Sequence, residues 1–552
     1  MKAHLLLAAL VAAAPVAACN RADSRIDPQR LSRHIEVLAS DAFEGRGPGT
    51  AGETKTVDYI VGQMQAIGLQ PGGAVQADGR RGWTQDVPLA RSEIVGPLKL
   101  SLTAGGRTDA LTQGEQVTIR PNATGLTRVD IAAAPLVFVG YGVKAPERGW
   151  DDFKGVDLKG KVAVVLVNDP DFETGQGDFG GKAMTYYGRW TYKYEEMARQ
   201  GALGVLVVHE TAPASYGWAT VRGSNSGSML DIVRDDPGAS HPVMEGWIQR
   251  DAAADLFKRS GQDFEALKKA AQTRAFKPVT LAGASWSASY AVAQTRIVTK
   301  NIAGLLPGKT RPDQTVIYSG HWDHLGIGEP DAAGDRIYNG ALDNADGIAS
   351  ILEVARLFKA APQTERSVVF MAVTAEEEGL LGSEYYGANP LYPLATTVAV
   401  INLDMFAATG PARDFSISGS APLSLVDDLI AAGKTQKRTL APDANPGAGA
   451  YYRSDHFPFA KRGVPALSIE SGRDLIEGGK AAGDAWDKDF NEKHYHQPSD
   501  QWSPDLDLRG VAQNAELAYR LGRGLANSAK WPTWGAGAEF KALRDQTAAQ
   551  RR

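Results

Sequence analysis

The second half of the chain alternates short Val-rich runs with amphipathic segments, and several of the runs stop at an acidic residue or a histidine. "TVIYSG" (315–320), "SVVFMAV" (367–373), "TTVAVINLD" (396–404) and "PALSIE" (465–470) have the length and β-branched content of buried strands. "IASILEVARLF" (348–358) and "VDDLIAAG" carry helical spacing instead. This alternation predicts an α/β domain, a mostly parallel twisted sheet flanked by helices. In open sheets of that kind, ligands gather at the carboxyl ends of the strands.

The first half is less uniform. Leu31, Ile35 and Leu38 predict one helix, and "TKTVDYIVGQMQAIG" predicts a second ending near Gly68, with the Gly/Pro-rich loop "DAFEGRGPGTAG" between them. Residues 84–125 are mixed and rich in turn formers, predicting short strands and loops. "APLVFVGYGV" and "KVAVVLVND" then predict buried strands, and "TYKYEEMARQGALGVLVVHE" a helix followed by a strand. At 552 residues the chain is long enough for two or three domains. Its net charge of -5 argues against nucleic acid as a partner. The start is of another kind. "MKAHLLLAALVAAAPVAACN" has a basic residue, an apolar stretch and small residues before Cys19, which is the pattern of a secretory signal.

The residues able to do chemistry fall beside the second-half strands. "HWDHLG" follows residue 320, "ALDNADG" precedes the 348 helix, and "EEEG" follows the 367–373 strand. Asp404 closes its own strand, and "HYHQPSD" brings His494 and His496 in a later loop. Five of the nine histidines lie between 321 and 496. A Glu run alone is a solvated face, and Asp-Asn before a helix is a cap. Their ordered recurrence at one end of successive strands is what points to a metal site, because Zn²⁺ accepts both imidazole and carboxylate.

"GHWDHLG", "GALDNADG", "AEEEGLLGS", "NLDM" and "YHQPSD", together with "SDHFPFAKRGVPAL", resemble the motifs of the M28 family of zinc aminopeptidases, across most of residues 285–525 plus the N-terminal helices. The "GYG" run, "DLKGKVAVV" and "ARQGALGVLVV" resemble the β-rich protease-associated (PA) domain inserted in several peptidases. "VAAC" resembles a bacterial lipobox. These resemblances imply a lipoprotein-type signal over 1–18, a peptidase domain split into 20–130 and 276–530, a PA-like insert over 131–275, and a tail over 531–552. They also imply lipid anchoring through Cys19, in the periplasm or at the outer membrane, and peptide substrates.

Residue by residue, the M28 resemblance implies two zinc ions bridged by Asp343, one completed by His321 and Asp404, the other by Glu377 and His496. A two-metal site needs a carboxylate between ions about 3.5–4 Å apart. Glu376 is then the general base for a zinc-activated water, Asp323 holds the outer nitrogen of His321, and Tyr451 or Tyr452 stabilises the oxyanion. Asp455 and His456 orient their loop, while His324 and His494 are bystanders or wall residues and not ligands, and Glu378 is a solvated spectator. Asp346 and Gln497 depart from the family pattern without removing a ligand. The expected activity is removal of N-terminal residues from peptides. The alternatives are a carboxypeptidase, dipeptidase or cyclase on the same zinc framework, or a peptide-binding lipoprotein with a dead site.

Overall fold

The computed structural model describes residues 25–419 and 422–551. The signal-type segment and Cys19 lie outside the described residues. Strands and helices used below are β1 (Thr84–Ala104), β2 (Arg128–Phe138), β3 (Val162–Leu166), β4 (Gly204–His209), β5 (Met244–Gln249), β6 (Val279–Leu306), β7 (Arg311–Ser319), β8 (Arg366–Ala372), β9 (Thr397–Leu403), β10 (Asp414–Ile417) and β11 (Ala466–Ser471). The helices are α1 (Pro28–Leu38), α2 (Ala51–Ile67), α3 (Trp190–Arg199), α4 (Asp346–Ala360), α5 (Leu381–Ala388) and α6 (Arg509–Asn527).

The second-half sheet runs β10-β11-β9-β7-β8-β6. β7, β8, β9 and β11 are parallel, while β10 and β6 pair antiparallel at their edges. The sheet is therefore mixed, with the expected parallel centre. Every residue of β8 and β9 is buried, as parallel strands covered on both faces require. α4 lies in the helical layer, packed against α1 and α6. α1 begins at Asp27, whose carboxylate accepts the Gln29 N–H at 3.1 Å, and buries Leu31, Ile35 and Leu38 as their spacing predicts. α2 stops at Gly68, which takes the left-handed conformation of a C-terminal cap (φ 84°).

The expectation of short strands and loops from residue 84 is overturned. β1 is one strand of 21 residues, paired antiparallel with β6, a strand of 28. Gly96 and Pro97 read locally as a turn, yet they sit in a bulge, since Lys99 pairs with Ser289 and Val95 with Ala291. The pairing partner of β1 lies far along the chain, so nothing local announces it. β6 also joins the two halves. Its C-terminal end pairs with β8, and its N-terminal part pairs with β2, which leads into the parallel set β3-β4-β5. No helix among the described residues is long and apolar enough to cross a membrane.

Candidate metal centre

His321 lies directly beyond β7 and bridges to Val373 beyond β8, which fixes it at the carboxyl edge of the sheet. Glu376 and Glu377 follow β8, and Asp404 follows β9. Four non-glycine residues here have left-handed φ: Ala375 (51°) before the glutamates, Leu380 (62°) after them, Met405 (51°) after Asp404, and His496 (57°) itself. Backbone of this kind is uncommon outside glycine and concentrates where a site needs a side chain aimed against local preference. Gly379 (φ 114°) eases the turn after the glutamates. Gly382 serves differently: an added Cβ would stand 2.3 Å from the Thr374 carbonyl oxygen, so a close helix approach excludes any side chain there.

Asp343 stands at the centre. Its Oδ1 is 3.3 Å from His321 Nε2, and its Oδ2 is 3.2 Å from His496 Nε2. His321 Nε2 is also 3.1 Å from Asp404 Oδ1, and His496 Nε2 is 3.1 Å from Glu377 Oε2. One carboxylate thus faces two separate imidazole-carboxylate pairs. His321, Asp343 and Glu377 offer ligand atoms within 4.8 Å of one another, as do His321, Glu376 and Asp404. Four carboxylates crowded about two imidazoles repel unless cations sit among them, and this nitrogen-and-oxygen donor set suits zinc. The residues fit the metal.

The two adjacent glutamates are separated electrostatically. Burial, despite His321, holds Glu376 well above the usual carboxylate range, with Asp404 and Glu377 adding repulsion. Burial and Asp343 push Glu377 the same way, but hydrogen bonds from His324 and His496 overrule them and bring it down to about 2. Burial opposes charge on His496, yet Asp343 and Glu377 raise it to about 10. Glu376 Oε2 stands 3.9 Å from His321 Nε2, outside hydrogen-bond reach. Glu378 is exposed on the cleft wall.

Several expected positions need correction. His324 is no bystander: it is buried, and its Nδ1 lies 2.6 Å from Glu377 Oε1. The outer nitrogen of His321 meets the main-chain oxygen of Asp323 at 3.1 Å, with the carboxylate 3.9 Å away. The Asp323 carboxylate instead accepts the N–H groups of Glu376 (3.1 Å) and Glu377 (3.4 Å), fixing the turn that splits them. Tyr451 is buried and donates to the Ala466 carbonyl at 2.9 Å, so its hydroxyl is occupied away from the cleft. Tyr452 lines the cleft. Asp455 accepts from Ser383 Oγ at 2.6 Å, and the His456 ring packs edge-on against Tyr451. His494 stays outside the cluster, against Ser499. Asp346 is buried and accepts the Phe406 N–H at 2.9 Å.

Three supporting residues have no role read from the sequence, although Asp500 and Ser454 lie within the quoted motifs and only Arg46 stands outside them. Arg46, in the Gly/Pro-rich loop, is 1% exposed. Its guanidinium donates to the main-chain oxygens of Trp322, Leu38, Asn339, Gly340 and Asp343, tying both metal-edge loops to the N-terminal helices. Burial lowers its pKa to about 10 while Asp500 and Asp343 sustain the charge. Asp500 accepts the N–H groups of Leu342 and Asp343 at 3.1 Å each. Ser454 donates to Asp404 Oδ2, leaving Oδ1 toward His321.

Residues 301–521 match the model of peptidase family M28. That segment is an M28 peptidase domain. Aminopeptidase YwaD of Bacillus subtilis is 24% identical over 360 residues, 64% of this chain and 57% of that protein. A probable zinc metalloprotease of Pyrenophora tritici-repentis is 36% identical over 104 residues, which are 19% of this chain and 23% of the relative. The chain thus spans about a quarter of that relative's length. Among solved structures, an aminopeptidase from Aneurinibacillus sp. strain AM-1 aligns with 92% of this chain and 95% of its own at 19% identity and a TM-score of 0.48. The M28 segment contains all five ligand candidates and Glu376.

Beside the centre opens a cleft of about 380 Å³. Its lining brings together Glu376, Glu377 and His496 with Arg189 and with Trp190 and Tyr194 of α3.

Proposed function

We propose that the chain is a zinc-dependent aminopeptidase acting on peptides that enter this cleft. The observation that carries the reading is the position of Asp343, one oxygen toward His321 and Asp404 and the other toward His496 and Glu377. These five residues would hold two zinc ions. When bound, the ions supply Lewis acidity that lowers the pKa of a water and polarises the scissile carbonyl.

Glu376 is the general base. It takes one proton from the attacking water and delivers it to the amine nitrogen as the C–N bond breaks, giving a carboxylate and a free amine. Its raised proton affinity suits that exchange, whereas Glu377 stays ionised as a ligand. Asp323 holds the two apart through their amides, His324 aims Glu377, and Asp500 aims Asp343. Tyr452 remains the candidate phenol for the oxyanion, since the Tyr451 hydroxyl is engaged by Ala466.

The aminopeptidase names of relatives such as YwaD favour cleavage at the N-terminus. We take 131–275 as a PA-type insert that walls the cleft, and Cys19 as a lipid anchor at the periplasmic or outer-membrane surface. The test is a metal count together with hydrolysis of aminoacyl-p-nitroanilides. Near two zinc per chain with chelator-sensitive release of nitroaniline supports the reading; peptide binding without turnover at full metal loading refutes it.

A further inference from the structure

The cleft is lined by cations as well as acids, and most of those cations are already matched. Arg120 lies 3.5 Å from Glu245, Arg234 is 2.6 Å from Asp231, and Lys461 is 2.6 Å from Glu195. Arg189 and Arg453 differ. Among the described residues neither has a carboxylate in ion-pair range, and Arg189 Nε is shut from solvent with no hydrogen-bond partner. Arg453 Nη2 reaches only the Ser215 hydroxyl, at 3.3 Å. The two guanidinium charges also repel, and burial together with Arg453 lowers the Arg189 pKa to about 10.

A buried donor without a partner carries its full desolvation cost, larger when it is charged. A fixed guanidinium fork matches a planar carboxylate, which can accept two parallel N–H bonds. We propose that Arg189 and Arg453 form a subsite that binds a carboxylate of the peptide substrate, in the same cleft that Glu376, Glu377 and His496 line. The inference rests on the peptidase reading of that cleft. The carboxylate is either an acidic side chain beyond the scissile bond or the C-terminus of a short peptide. Both place negative charge at the arginine wall while the amine end lies toward the acidic floor.

The test uses the zinc-loaded full chain and two substrate pairs: Leu-Ala-Ala against its C-terminal amide, and Leu-Glu-Ala-amide against Leu-Gln-Ala-amide. The carboxylate member of at least one pair is expected to have a kcat/KM about ten- to a hundredfold higher, with the advantage shrinking as salt rises. Preference in the first pair assigns the C-terminus, and in the second the side chain. Arg189→Gln should drive that ratio toward one, as should Arg453→Gln, whose exposed position makes it safe for folding. Arg234→Gln, at an arginine already matched by Asp231, should keep the ratio. Equal turnover within both pairs, or a ratio surviving both Arg189 and Arg453 replacements, overturns the subsite. Failure to cleave any peptide overturns the peptidase reading, and the subsite with it.

Discussion

The floor and the wall of the cleft carry opposite charge and are built in opposite ways. The floor crowds Asp343, Glu376, Glu377 and Asp404 around two imidazoles, each acid aimed by a hydrogen bond or a main-chain turn fixed elsewhere. The wall holds Arg189 and Arg453 with almost nothing aimed at them. Arg46, by contrast a fully buried cation, has its guanidinium filled by five main-chain oxygens. Buried charge is tolerated when paired or fully hydrogen-bonded. By that rule Arg46 is structural, whereas the crowded acids and the unpartnered Arg189 are the groups for which an outside cation and an outside carboxylate are proposed.

The largest effect should separate the two glutamates. Glu376→Gln is expected to lower turnover by about 10²- to 10⁴-fold with zinc content unchanged by mass spectrometry. Glu377→Gln should lose zinc. Equal metal loss in both would merge the roles assigned to them.

Next comes the contrast among cations. Arg46→Met orphans five carbonyls and should cost roughly 3–5 kcal/mol in urea denaturation. Arg453→Gln, exposed and weakly held, should stay within about 0.5 kcal/mol. If the two destabilise alike, the distinction between a structural and a ligand-facing arginine breaks.

A smaller effect is expected from the groups that aim ligands. His324→Gln and Asp500→Asn should each weaken zinc affinity by about 10- to 100-fold, read by competition with a chelator, and excess zinc should restore most of the turnover. Unaltered affinity in both would mean that the acids are aimed by packing alone.

Three of the ligand candidates, His321, Glu377 and Asp404, were legible because they follow strands, and strands announce themselves by apolar runs. That is why His321, the 376–377 pair and Asp404 could be placed before any fold was known. The His324 partner was not legible. It is three residues from His321, but the Glu377 carboxylate it meets follows a different strand. The same holds for Tyr451, set apart from Tyr452 only by the Ala466 oxygen that its hydroxyl reaches.

By itself the sequence determined the four parallel strands of the second half and the helix after "ALDNADG", the residue types at the sheet edge, and the M28 signature that these spell. Apolar periodicity and ligand chemistry are properties of the chain read locally, so they survive without coordinates. Only the tertiary structure decided that β1 and β6 are long partners running through both halves of the molecule. It alone decided that Arg46 fastens the metal-edge loops and that Arg189 faces the cleft unmatched. Those outcomes depend on main-chain donors and acceptors, and on the absence of an acid nearby. Neither leaves a trace in residue identity, because every residue but proline carries the same peptide group and a missing neighbour is defined only in space.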